Sequence, residues 1–372
     1  MKIEEFLLER YFARYEFEIP HLLCASDCES FSIEEILKLE EGAENKFRKL
    51  KLGYTDSQGS PELRDAISSL YENISKQDIL AFAGAEEGIF AFMNVVLKPG
   101  DHIIVQYPAY QSLFAIAEAI GCEITKWSMD PENNWNLDFD FLTENINTNT
   151  KALVINFPHN PTGSLLSQKK FENIIDIARE NDIYLLSDEV YRLLEYDSST
   201  LLPPACDLYD KAISLGVMSK SFGLAGLRVG WTATKDQNLL SDLASFKDYT
   251  TICNSIVSEF LASLALRNYR ELVQRNLSII MRNLTFLDHF FDKTPLMDWV
   301  RPQAGPIAFP KLTNNSSSER FCTRLVDKAG VLLLPSSAFM YGDNHFRIGF
   351  GRKNMPEALS QLEANIENES SL

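Results

Sequence analysis

Through the middle of the chain, short runs that are apolar at nearly every position alternate with stretches of helical spacing. ALVIN (152–156) and IYLLS (183–187) are examples of the first kind. Such runs suit strands buried on both faces of a sheet, because a strand with one wet face would alternate polar and apolar residues. The pattern predicts strands at His102–Gln106, Glu123–Trp127, Leu153–Phe157, Ile183–Ser187 and Lys211–Val217. It predicts helices at Tyr110–Ile120 and Lys169–Glu180. Strand–helix–strand succession of this kind builds an α/β layer structure, here a mostly parallel central sheet flanked by helices.

The two chain ends read differently. The first forty residues look mostly helical and have no sheet partner of their own, so they are expected to pack on the smaller layer. From Asn238 to Asp292 the pattern is almost all helical; beyond it come a helix at Glu319–Ala329, strands at Val331–Leu334 and Phe346–Phe350, and a last helix. The expectation is a large α/β domain over 46–280 and a smaller α+β domain from 1–45 plus 281–372. No repeat or Pro/Gly/Ser-rich linker separates them, so they must dock tightly, and the tail from Glu367 is expected to fray.

Charge narrows the function. There are 35 Lys and Arg against 52 Asp and Glu, a formal net charge of −17. A surface so acidic repels phosphate backbones and anionic lipid, so neither nucleic acid nor a membrane is expected as a partner. The first twenty residues carry five acids and no continuous apolar stretch, unlike a secretory signal. Six cysteines lie scattered at 24, 28, 122, 206, 253 and 322. That spacing suggests free thiols rather than a disulfide framework or a metal site, and a cytoplasmic location.

Four segments set unusual polar residues in or just past apolar strand runs: NFPHNPTG (156–163), SDEVY (187–191), SKSFGLAGLRVGW (219–231) and FRIGFG (346–351). Parallel sheets keep their ligand sites beyond the carboxyl ends of the strands. A lysine between two serines at the end of a buried strand is costly to desolvate. A covalent bond to a carbonyl would give that amine a use. Arg347, flanked by Phe346 and Ile348, projects to the opposite face of its strand from both.

Together and in this order, NPTG, SDEVY, SK, GLRVGW and FRIGF resemble the pyridoxal-phosphate-dependent class I and II aminotransferases of fold type I, from about Tyr54 to Arg352. The resemblance implies pyridoxal 5′-phosphate as cofactor and Lys220 as the amine that bonds its aldehyde and then moves a proton. Asp188 would pair with the pyridinium nitrogen, and Asn160 and Tyr191 would hydrogen-bond the phenolic oxygen. The main chain of Gly84, Ala85 and Glu86, at a helix start, would cradle the phosphate, with the Glu86 side chain pointing away. Arg228 and Ser219 would add a charged fork and a hydroxyl. Tyr107 is the better match for the ring stacked on the cofactor and Tyr110 the weaker one. Arg347, with Asn160 beside it, would grip the substrate carboxylate. Tyr54 would reach the phosphate of a neighbouring subunit, making the site part of a homodimer.

Two departures stand out. Val217 occupies a position where the family often has Ser or Thr, and Cys24–Ser30 replaces its usual substrate loop. No second arginine for a distal carboxylate is assignable, although Arg192 and Arg352 remain open. The implied activity is a ping-pong transfer of an amino group from an L-amino acid to a 2-oxo acid. β-Elimination at a C–S bond and amino-acid cyclisation share the same motifs and stay open, as does a catalytically silent cofactor-binding module. A nicotinamide oxidoreductase is disfavoured, since GLAGLRVG lacks G-x-G-x-x-G spacing.

Overall fold

The computed structural model describes residues 2–314 and 316–367; most of the expected frayed tail lies outside these residues. In chain order, α1 spans Leu7–Tyr15 and β1 His21–Leu22; β2 is Ile79–Phe82, β3 His102–Tyr107, β4 Glu123–Asp130 and β5 Asn136–Leu137. Then come β6 (Thr150–Asn156), β7 (Tyr184–Asp188), β8 (Ala212–Val217) and β9 (Gly230–Ala233). The central sheet has the order β2-β9-β8-β7-β6-β3-β4-β5. Neighbours from β8 to β4 pair parallel, whereas β9 runs antiparallel to both β2 and β8, and β5 antiparallel to β4. Every residue of β3 and of β8 is buried, as unbroken apolar runs between two helical layers require.

The predicted strands and helices of this middle region appear within one to three residues of their expected bounds. Pairing in register brings three strand ends together: Asn156 lies beside Asp188, and Asp188 beside Leu215. The carboxyl ends of β6, β7 and β8 therefore open side by side.

Two expectations need correction. The amino-terminal segment does contribute a strand, since β1 pairs in parallel with Val331–Leu332. The run expected as one strand over Val331–Leu334 is split, because Leu334–Pro335 joins a different sheet with Phe346–Gly349. Two-residue pairings are set by their distant partners and leave no periodic trace. Strand β9 is likewise absent from the sequence pattern, because its Gly-Trp-Thr-Ala sequence sits in a glycine-rich stretch that reads as a loop. Further along, Gln237–Lys247, Ile256–Arg267 and Tyr269–Lys293 are helices. Among the described residues no helix is long and apolar enough to cross a membrane.

Candidate active site

A cavity of about 410 Å³ opens over the ends of β6–β8, with α1 and residues 25–27 on its other side. Its floor comes from the sheet. Asp188 ends β7 and is only 6% exposed. It accepts a hydrogen bond from the Val190 amide at 3.2 Å. Burial pushes its carboxyl up to about 7 from the usual 3.8. No cation of this chain pairs with it among the described residues, so the acid is available to a hydrogen-bonding cation from outside. Lys220 follows β8, and its Nζ donates to Ser26 Oγ at 2.8 Å, 5.8 Å from the centre of the Tyr191 ring. The Tyr191 hydroxyl donates to the Ser26 carbonyl at 2.9 Å.

Asn160 and Arg347 form a second group. The Asn160 amide donates to Asn156 Oδ1 at 2.7 Å, which fixes the loop after β6. Its own Oδ1 accepts from Arg347 Nη1 at 3.2 Å. The Arg347 guanidinium, 1% exposed, otherwise donates to the Cys24 carbonyl at 2.9 and 3.2 Å. No carboxylate lies within ion-pair distance of it among the described residues. Burial works against that charge. A buried guanidinium held only by neutral oxygens is poised for a carboxylate.

The third part is an anion cradle. Gly84, at φ +98°, caps the helix Ala85–Val96. A side chain there would lie 2.7 Å from Arg228 Nη2, and one at Gly230 would meet the Gly84 and Ala85 backbone at 2.5 and 2.6 Å. Only glycine lets the β2 turn, β9 and the arginine converge. The result is a helix start with free amides facing a guanidinium, which suits a phosphate. Ser219 and Val217 both line the cavity.

Glu86, expected to point away, lines the cavity too, open at its surface and with its carboxyl raised by partial desolvation to about 7. The acid that turns back is Glu87, which accepts from the Ala83 amide at 2.6 Å and the Thr251 hydroxyl at 2.8 Å.

The expected stacking ring is misassigned. Tyr107 is a core residue whose hydroxyl donates to the Phe339 carbonyl at 3.0 Å and lies against that of Met340, while its ring packs on Phe114 and Tyr341. Tyr110 lines the cavity instead. Tyr54 is 92% exposed and does not line this chain's cavity. Of the open arginines, Arg192 bonds the Leu70 and Leu202 carbonyls elsewhere. Arg352 does face the cavity, but both Asp27 oxygens accept from its Nη2, at 2.9 and 3.0 Å.

Four further polar lining residues went unrecognised in the sequence: Glu9, Glu16, Ser26 and Asp27. One signal was available. Leu8, Glu9, Phe12 and Glu16 fall on one face of α1, so acids share the stripe that an ordinary surface helix keeps apolar.

The model of the aminotransferase class I and II family matches residues 21–362. The chain is 30% identical to capreomycidine synthase of Streptomyces vinaceus over 351 residues, covering 94% of this chain and 88% of that protein. A solved structure of a PLP-dependent aminotransferase from Streptococcus suis superposes with a TM-score of 0.93 at 32% identity, covering 99% and 98% of the two chains. That of a PLP-dependent cyclase superposes with 0.90 at 27%, over 99% and 98%.

Proposed function

The chain belongs to the aminotransferase class I and II family, and from that premise we propose that it passes the amino group of an L-amino acid to a 2-oxo acid in two half-reactions. Its cofactor is pyridoxal 5′-phosphate. The fit rests on the cradle between Gly84, Gly230 and Arg228 and on the buried, unpaired Asp188. When bound, that cofactor supplies an electron sink for the substrate α-carbon.

The chain's own residues do the rest. Lys220 would hold the cofactor through its aldehyde and, as a free amine, would carry the proton to and from the substrate α-carbon. Asp188 keeps the ring nitrogen protonated. Asn160 and Tyr191 would hydrogen-bond the cofactor's phenolic oxygen, and Tyr110 would stack on its ring. The Ala85 and Glu86 amides, Ser219 and Arg228 hold the phosphate. Arg347 takes the α-carboxylate bidentately, which fixes which bond to the α-carbon faces the ring.

The observation that carries this reading is that Lys220, Asp188 and the unpaired Arg347 face one cavity. Its test is the visible spectrum of the cofactor-loaded protein with a panel of amino acids. The cofactor band is expected to bleach with a donor and to return with a 2-oxo acid.

The likeness to capreomycidine synthase and to a cyclase structure favours a second reading, ring closure on an amino acid. It predicts a cyclised product with no 2-oxo acid consumed. We further propose a cytoplasmic homodimer in which Tyr54 reaches the partner's cavity. Sedimentation of the loaded protein tests the dimer.

A further inference from the structure

The charges that line the cavity do not cancel. Its bases are Lys220, Arg228, Arg347 and Arg352, and its acids Glu9, Glu16, Asp27, Glu86 and Asp188. Arg352 is neutralised by Asp27 within the roof. Under the proposed function, on which this inference rests, Arg228 faces a phosphate, Asp188 a ring nitrogen, Lys220 an aldehyde and Arg347 the substrate's α-carboxylate. Glu86 stands beside the phosphate cradle. No cation remains for Glu9 and Glu16.

Both acids belong to the roof. Glu9 lies in the first turn of α1 and Glu16 caps its end. Seven residues is close to two full helical turns, so the two carboxylates lie on one face about 10 Å apart along the helix. Leu8 and Phe12 share that face and, with Ile89 across the cavity, give it an apolar wall. The helix also carries Arg10 and Arg14, and neither lines the cavity. Arg14 instead lies over the Tyr15 ring at 4.8 Å. Of the two acids and two bases on the helix and its cap, both acids thus line the cavity and neither base does.

Glu9 is oriented from below by the Tyr110 hydroxyl, which donates to its Oε1 at 3.1 Å. Glu16 makes no direct ion pair among the described residues. Burial raises its carboxyl pKa and Arg352 only partly offsets this. Each acid would gain from an incoming cation.

We propose that Glu9 and Glu16 of α1 select an amino acid whose side chain is a flexible apolar stem ending in an ammonium or guanidinium group. The α-carboxylate goes to Arg347, the stem lies along Leu8 and Phe12, and the distal cation reaches a roof carboxylate. A dicarboxylic amino acid is excluded by the same arrangement. Its second carboxylate would face Glu9 and Glu16, and Arg352 is already forked on Asp27.

The test titrates the PLP-loaded protein with L-ornithine, L-arginine, L-norleucine and L-aspartate. It follows half-saturation of the cofactor's absorbance and, separately, the heat of binding by calorimetry. Norleucine supplies a stem of similar length without the charge. Ornithine or arginine is expected to half-saturate at a concentration at least tenfold below that of norleucine, with aspartate weakest. That preference should shrink as salt rises, since part of it is exposed electrostatics. The double variant Glu9→Gln/Glu16→Gln should bring the basic-to-neutral ratio to within about twofold of one, with an unshifted thermal midpoint as the check on folding.

A wild-type ratio near one, or a ratio that the double variant leaves intact, overturns the proposal. Those outcomes differ from failure of the underlying function. If the cofactor band does not form, or responds to no amino acid at all, the assignment of the cavity itself falls.

Discussion

The floor and the roof of the cavity are built by different physics. The floor hangs on β6, β7 and β8, whose ladders and burial on both faces hold Asn156, Asp188 and the approach to Lys220 in register. The roof is α1 and the 25–27 segment. Leu8 packs it into the core, and the rest of its hold is side-chain clips: Gln111 accepts from the Leu7 amide and donates to the Glu5 carbonyl, both at 2.9 Å, Tyr11 donates to the Leu333 carbonyl, and Tyr191, Lys220 and Arg352 bond Ser26 and Asp27. Chemistry that tolerates little displacement sits on the rigid side, and selection among substrates on the side that can change without disturbing it. Substitutions in the floor should therefore cost turnover or cofactor, and those in the roof should redistribute affinity among amino acids.

The sharpest way to break this comparison is at Lys220. Lys220→Ala should lower the rate of the half-reaction on the order of 10⁴-fold, because one amine serves as both nucleophile and proton carrier. The thermal midpoint should stay in place. Stopped-flow absorbance at saturating amino acid measures the loss. A variant that keeps more than a tenth of the rate would remove the floor's claim to the chemistry.

Next in size is a pH effect on the cofactor-free protein. The Asp188 carboxyl is raised to about 7 by burial. Between 3.8 and 7 the folded chain keeps a proton that the unfolded chain has released. The resulting stability is whole below the lower value, falls as pH rises, and levels off above the higher one. Against Asp188→Asn, the wild type should lose on the order of 4 kcal/mol across that window, and bound cofactor should restore most of it by supplying a cationic partner. Parallel denaturation curves for the two proteins would contradict this.

How far the molecule was readable follows the same division. Asp188, Lys220, Asn160 and Arg347 stood out because each is polar in an apolar setting, where a strand pattern demands an explanation. The buried parallel strands were legible for the same reason. What escaped notice depends on partners far away in sequence. Strands β1 and β9 are too short or too glycine-rich to show a period, and they exist because Val331–Leu332 and the edges of β2 and β8 await them. The acids of α1 enter the sequence reading only as charges unlike a secretory signal, and it is the fold that lowers their face onto a cavity. Choosing between Tyr107 and Tyr110 required knowing how the chain turns after β3, which residue types alone do not reveal.

That pair offers the third test. Tyr110→Ala should weaken cofactor binding about tenfold, the size of a stacking contact. Tyr107→Phe should leave cofactor affinity alone and cost about 1 kcal/mol of stability for its hydrogen bond to the Phe339 carbonyl. Fluorescence titration of cofactor and urea denaturation distinguish the two. Reversed results would return the stacking role to Tyr107.

The smallest effect expected lies wholly in the roof. Gln111 is 3% exposed and ties the start of α1 to the body of the protein through two hydrogen bonds. Gln111→Leu keeps the volume and removes both. The freed Leu7 amide and Glu5 carbonyl belong to exposed residues, so water can take over and the cost should stay near about 1 kcal/mol. Because the clip is local, the loss should appear as local opening. Amide exchange across Leu7–Tyr15 should quicken severalfold, while exchange in β7 and β8 and the affinity for cofactor hold. If exchange in β7 or β8 rises as well, roof and floor form one cooperative unit, and substrate selection could not change independently of the chemistry beneath it.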